Sequence, residues 1–126
     1  MSSDTLIHLI AAEAEERETL SRYLRRHDYN IEVFDSLDAS KEALAGSLPS
    51  LIVLAGSSIP SPDICKFGAA VEMASDSPII ALLTKLQMSI VSELAESENL
   101  WTAEYPISLR EIRASIVEAF EEISAG

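Results

Sequence analysis

Short apolar runs recur along this chain, and each is followed by a charged segment whose apolar residues fall at helical spacing. The runs are Leu6–Ile10 (LIHLI), Ile31–Phe34 (IEVF), Leu51–Ala55 (LIVLA), Pro78–Leu83 (PIIALL) and a more amphipathic stretch from Leu100 to Tyr105. A run as continuously apolar as Leu51–Ala55 suits a strand covered on both faces. Between them, Leu20, Tyr23 and Leu24 mark a helix ending near Arg26, and Ser36 or Asp35 caps a second that stops at Gly46, taken as a left-handed C-terminal residue. A third starts near Asp63 and uses Ile64, Phe67, Ala70 and Val71; a fourth spans Leu86 to about Glu96 with Ile90, Val91 and Leu94 on one side. Ser108 and Glu111 form a capping box for the last, where Leu109, Ile112, Ile116 and Phe120 recur at helical spacing. Strands alternating with helices through short connections predict an α/β fold, a five-stranded parallel sheet with helices on both faces. With no repeat or linker, residues 1–126 are expected to form one domain.

Charge narrows the function. A formal net charge of −12 opposes direct binding to nucleic acid or anionic lipid. Arg17, Arg22, Arg25 and Arg26 gather on one segment, but Glu13, Glu15, Glu16 and Glu18 beside them make a solvated helix face the better reading. No apolar run reaches a membrane span, and MSSDTLIHLI lacks the basic start of a signal peptide. One cysteine, Cys65, excludes an internal disulfide framework and fits a reducing compartment, so a cytoplasmic location is expected. His8 and His27 have no ligand-spaced partners, and no metal site or cofactor is expected.

The order of these segments resembles the receiver domains of two-component response regulators, most closely the NarL/FixJ type. The residues carrying the likeness are IHLIAAEAEER with Leu20, Leu24, Tyr29, Val33 and Phe34, then LPSLIVLA, Pro60 and Asp63, DSPIIALLT and Tyr105-Pro106. The resemblance implies a flavodoxin-like (βα)5 fold with strand order 2-1-3-4-5 and a site at the carboxyl ends of the strands. It also implies the chemistry of that site: an acidic pair for Mg²⁺, an aspartate nucleophile, a hydroxyl and a lysine. Mg²⁺ needs hard oxygen ligands, and a carboxylate attacking a phosphoryl group needs cations to screen their repulsion.

This sequence departs from that set at every position. The acidic pair falls on Ala11 and Ala12, with Glu13 the nearest carboxylate. The phosphoacceptor falls on Ala55 counting from Pro49, or on Gly56 counting back from Pro60. The hydroxyl position falls on Leu83 with Thr84 one residue late, and the lysine becomes Tyr105. Ser57 and Ser58 are better read as turn formers than as substitutes, and Cys65 as a packing residue. The resemblance further implies a cis bond before Pro106.

The expected function is therefore that of a pseudo-receiver: a non-enzymatic regulatory module, not phosphorylated on aspartate, acting by contact with a protein partner or a second copy. The family uses the face of the fourth helix, fifth strand and fifth helix, where Trp101, Arg110 and Arg113 fall. Trp101 is a partner anchor if it points outward and core if inward. The NarL/FixJ likeness suggests the N-terminal part of a transcriptional regulator. The competing readings are a ligand-binding or enzymatic domain using the same crevice, and a purely structural dimerisation module.

Overall fold

The computed structural model describes residues 6–46, 48–105 and 108–125. Its strands are β1 (Leu6–Ala11), β2 (Asn30–Phe34), β3 (Leu51–Ala55), β4 (Ile79–Leu83) and β5 (Leu100–Glu104). They alternate with α1 (Ala14–Arg26), α2 (Leu37–Ala43), α3 (Ser61–Ala74), α4 (Lys85–Leu94) and α5 (Leu109–Ala125). All pairings are parallel, in the order β2-β1-β3-β4-β5. The three inner strands are buried almost throughout, which is why they read as unbroken apolar runs.

Alternation along the strands sends side chains to two separate cores. Leu9, Ala11, Val53, Ala55 and Leu82 pack with Leu20 and Leu24 of α1 and Ile112 and Ile116 of α5. Ile10, Ile52, Leu54, Ala81 and Leu83 pack with Ile64, Phe67 and Val71 of α3 and Val91 of α4. Each core buries many Leu and Ile side chains, at about 1.5–3 kcal/mol apiece, so burial dominates what holds the layers together.

Helix ends follow local chemistry. Ser36 Oγ accepts from the Ala39 N–H (3.1 Å), and Ser108 Oγ accepts from the Glu111 N–H (3.1 Å). The end of α2 and the start of α3 differ from the sequence reading. α2 ends at Ala43, and Gly46 is not left-handed: no described glycine has positive φ. The left-handed residue is Asp28 (φ 68°), just past α1, whose N–H donates to Arg25 O (3.1 Å). An aspartate tolerates this region better than most residues, so nothing in the sequence flags it. α3 begins at Ser61 rather than Asp63, because Pro62 in the first turn is pre-set for a helix start.

Candidate functional site

In the order 2-1-3-4-5 the chain leaves β1 to one side and β3 to the other, so the crevice opens at their carboxyl ends. Ala11 and Ala55 end these strands directly opposite each other, both buried. Ala12 is exposed on the rim, and Glu13 takes the N-cap position of α1 without a side-chain capping bond. The polar group here is Arg17. Its Nη1 donates to Ala11 O (2.9 Å) and more weakly to Ala12 O (3.4 Å), folding a guanidinium back from α1 over the end of β1.

On the other side, the loop from Gly56 to Pro60 is closed by the Ile59 N–H donating to Gly56 O (3.0 Å). A Cβ built on Gly56 would lie 2.7 Å from Leu83 Cδ2 and 3.2 Å from Ile64 Cδ1, pointing into the second core. Leu83 is fully buried in that core. Thr84 is the N-cap of α4, its hydroxyl accepting from the Gln87 N–H (3.2 Å) while Gln87 Oε1 accepts from the Thr84 N–H (2.9 Å). Gln87 Nε2 then donates to Gly56 O (2.7 Å) and Ile59 O (2.9 Å). The sequence reading missed both Arg17 and Gln87. Thr84-Lys85-Leu86-Gln87 does carry the capping-box spacing, which signals half of what Gln87 does.

Two clefts flank the strand ends. One, of about 360 Å³ between α1 and α5, is lined by Glu13, Glu15, Glu16, Leu82, Tyr105 and Leu109. Burial pushes the Glu16 carboxyl up, and the nearby Glu13 charge adds to the rise. The other, of about 480 Å³ between α2 and α3, is lined in part by Ala12, Asp35, Asp63, Lys41, Lys66 and Phe67. Tyr105 is 37 % exposed and faces the glutamate-lined cleft.

The remaining predicted residues scatter. Trp101 is half-buried, in register with Ile80 and packed on the α1/α5 core, so it serves partly as core. Arg110 and Arg113 are exposed on α5. Cys65 is half-buried, and burial pushes its thiol up, away from the thiolate that reactivity requires. His8 is fully buried, its Nε2 3.2 Å from a Glu32 carboxylate oxygen yet without hydrogen-bond geometry. His27 is the C-cap of α1. The bond before Pro106 lies outside the described residues.

No protein-family model matches this chain, and neither does any curated protein. Solved structures do. A CheY-like response regulator receiver domain from Methanospirillum hungatei JF-1 superposes at TM-score 0.79 with 14 % identity, covering 97 % of this chain and 98 % of that one. The fold is that of a receiver domain. The N-terminal domain of a response regulator/sensory box/GGDEF protein from Carboxydothermus hydrogenoformans gives 0.75 at 16 % identity, over 96 % and 98 % of the two chains. The receiver domain of NtrC4 from Aquifex aeolicus gives 0.74 at 20 %, over 94 % and 98 %.

Read as a receiver fold, the crevice does not fit a divalent cation. The β1 and β3 ends offer methyl groups in place of carboxylates, and a guanidinium already occupies the β1 carbonyls. Among the described residues no group of three or more His, Cys, Asp or Glu stands close enough to hold a metal. No described helix is long and apolar enough to cross a membrane.

Proposed function

We propose that residues 1–126 form one pseudo-receiver domain, a non-enzymatic cytoplasmic regulatory module that works by protein contact without aspartate phosphorylation. One observation carries this reading: Ala11 and Ala55 face each other at the strand ends, and the cation beside them is the chain's own Arg17. Phosphoryl transfer to a carboxylate needs a nucleophile and a metal to neutralise developing charge. Of the two phosphoacceptor positions, the geometry favours Ala55. Its side chain lies on the Ala11 side, whereas a side chain at Gly56 runs into Leu83.

The contact surface in this reading is the face of α4, β5 and α5. Leu86 there is 71 % exposed, and Lys85 Nζ stands 4.0 Å from Glu104 Oε2 across the α4–β5 edge. The NtrC4 receiver, which shares this fold, forms a dimer in its beryllofluoride-activated state. Self-association through this face is the form of contact we favour, and the net charge of −12 argues against direct nucleic-acid binding. The NarL/FixJ likeness of the sequence supports, as part of this proposal, a role for the module as the N-terminal part of a transcriptional regulator. Intact-mass measurement after incubation with acetyl phosphate and Mg²⁺ tests the central claim. No mass gain is expected, and a stable phosphoryl adduct mapped to the crevice overturns it.

A further inference from the structure

Gln87 does more than a capping residue requires. A capping box uses the glutamine oxygen alone, accepting from the N-cap N–H. Here both Nε2 hydrogens are also used, on Gly56 O (2.7 Å) and Ile59 O (2.9 Å), residues 31 and 28 positions earlier in the chain. The amide thus joins three pieces of backbone: the first turn of α4, the Thr84 joint after β4, and the β3–α3 loop. Among the described residues no other hydrogen bond links that loop to α4. The loop's own closure adds to this, because Gly56 O accepts from the Ile59 N–H as well as from Gln87. Breaking the clamp takes from Ile59 O its partner and leaves Gly56 O with the Ile59 N–H alone, a penalty that makes the closed arrangement cooperative.

We propose that Gln87 is a positioning residue that makes the β3–α3 loop and α4 one rigid unit, holding the α4–β5 surface in a single arrangement with no phosphoryl group at the strand ends. The surface so held begins next to the clamp: Leu86 is 71 % exposed, and Lys85 reaches toward Glu104 on β5. That last clause of the proposal rests on the function proposed above. The coupling does not, and it is measured on the free domain without any partner.

Amide hydrogen exchange separates this from plain helix capping. In the closed loop the Ile59 N–H reports on the loop, the Met88 N–H donating to Thr84 O (2.9 Å) reports on the α4 start, and Leu9 and Val53 report on the sheet. Gln87→Ala is expected to speed exchange at both Ile59 and Met88 by about tenfold, with Leu9 and Val53 unchanged. Thr84→Val removes the capping hydroxyl and spares the Nε2 bonds, so it should speed Met88 alone. Gln87→Glu turns a carboxylate toward the two carbonyls. Its Ile59 exchange, corrected for intrinsic pH dependence, should be fast at pH 7 and slow again near pH 4.5, where the protonated acid donates to one carbonyl. The proposal is overturned if Ile59 is unmoved by Gln87→Ala, if Thr84→Val moves it equally, if every amide including Leu9 and Val53 speeds up together, or if Gln87→Glu shows no pH-dependent recovery.

Discussion

On the face covered by α1 and α5, the inner strands present Ile7, Leu9 and Ala11 beside Leu51, Val53 and Ala55, while the alternate residues facing α2, α3 and α4 are His8 and Ile10 beside Ile52, Leu54 and Gly56. The first face tapers to methyl groups at its carboxyl end and opens into a glutamate-lined cleft. The second is tighter at the end of β3 and beneath α3, although the larger cleft, between α2 and α3, opens at its rim. A Cβ on Gly56 would meet Leu83, and one on Gly68 would come within 2.9 Å of Ser97 Oγ and 3.0 Å of Leu100 Cδ1. Buried polar atoms divide the same way. Among the described residues those without partners belong to His8, Ser40, Ser97 and Asn99, all on the α2–α4 side. At the end of β3 the sheet therefore has room on the α1/α5 side and is closely packed on the other, where the unpartnered buried polar atoms also lie. Ala11 and Ala55 sit on the first side and the Gln87 clamp on the second.

Placing an aspartate at each candidate phosphoacceptor position gives the largest test of this contrast. Gly56→Asp adds overpacking, about 1–3 kcal/mol, to an uncompensated buried charge, about 3–5 kcal/mol. It should lose at least 4 kcal/mol or so by urea unfolding, or fail to fold. Ala55→Asp places its carboxylate one strand from the Arg17 guanidinium and should lose clearly less, about 1–3 kcal/mol. Neither variant should gain mass with acetyl phosphate and Mg²⁺. Equal losses at the two positions would erase the difference between the faces.

Acid should pull the faces in opposite directions. Burial holds His8 below its ordinary value of 6.5, against the opposing Glu32 carboxylate, so the unfolded chain takes up the proton first. Stability from neutral His8 is full above that value and declines as pH falls below it. Glu16 is held above its ordinary 4.5 by burial and by Glu13, so its contribution is favourable at low pH and is lost as pH rises through the folded value. Urea midpoints between pH 7 and 5.5 should fall less in His8→Leu than in the parent chain. Between pH 5.5 and 4.5 the removal of the titrating group in Glu16→Gln should steepen the acid loss. A His8→Leu profile parallel to the parent's would show that the buried imidazole titrates normally.

The smallest effect belongs to the outer surface of the first face. Arg113→Glu on α5 should weaken self-association by under about 1 kcal/mol, as exposed ion pairs do. Sedimentation across concentrations measures it. A monomer at every concentration, or a dimer insensitive to α5 charge, removes this face from consideration.

Much of the fold was legible because burial writes directly into composition: β1, β3 and β4 lie inside the sheet and show as continuous apolar runs. Ser36 and Ser108 were legible as caps because a capping bond is local. The end of α2 was not. Gly46 suits a left-handed position that the chain never adopts there, and Asp28 adopts one without advertising it. At the site, the identities of Ala11, Ala55 and Tyr105 could be read, since each is a letter in the sequence. The occupants could not. Arg17 and Gln87 act on backbone carbonyls, and a carbonyl acceptor has no residue identity to search for.

A cation tethered by its own side chain has a consequence for how such a module is set. Free Mg²⁺ exchanges with the medium, so a domain that relies on it follows the supply of metal and phosphodonor. Arg17 is present at one equivalent per chain and stays charged across the physiological pH range. Under the reading proposed here, occupancy of a partner follows mass action between the two concentrations alone. The signal is then the number of copies made and kept, and the rates that matter are synthesis and turnover.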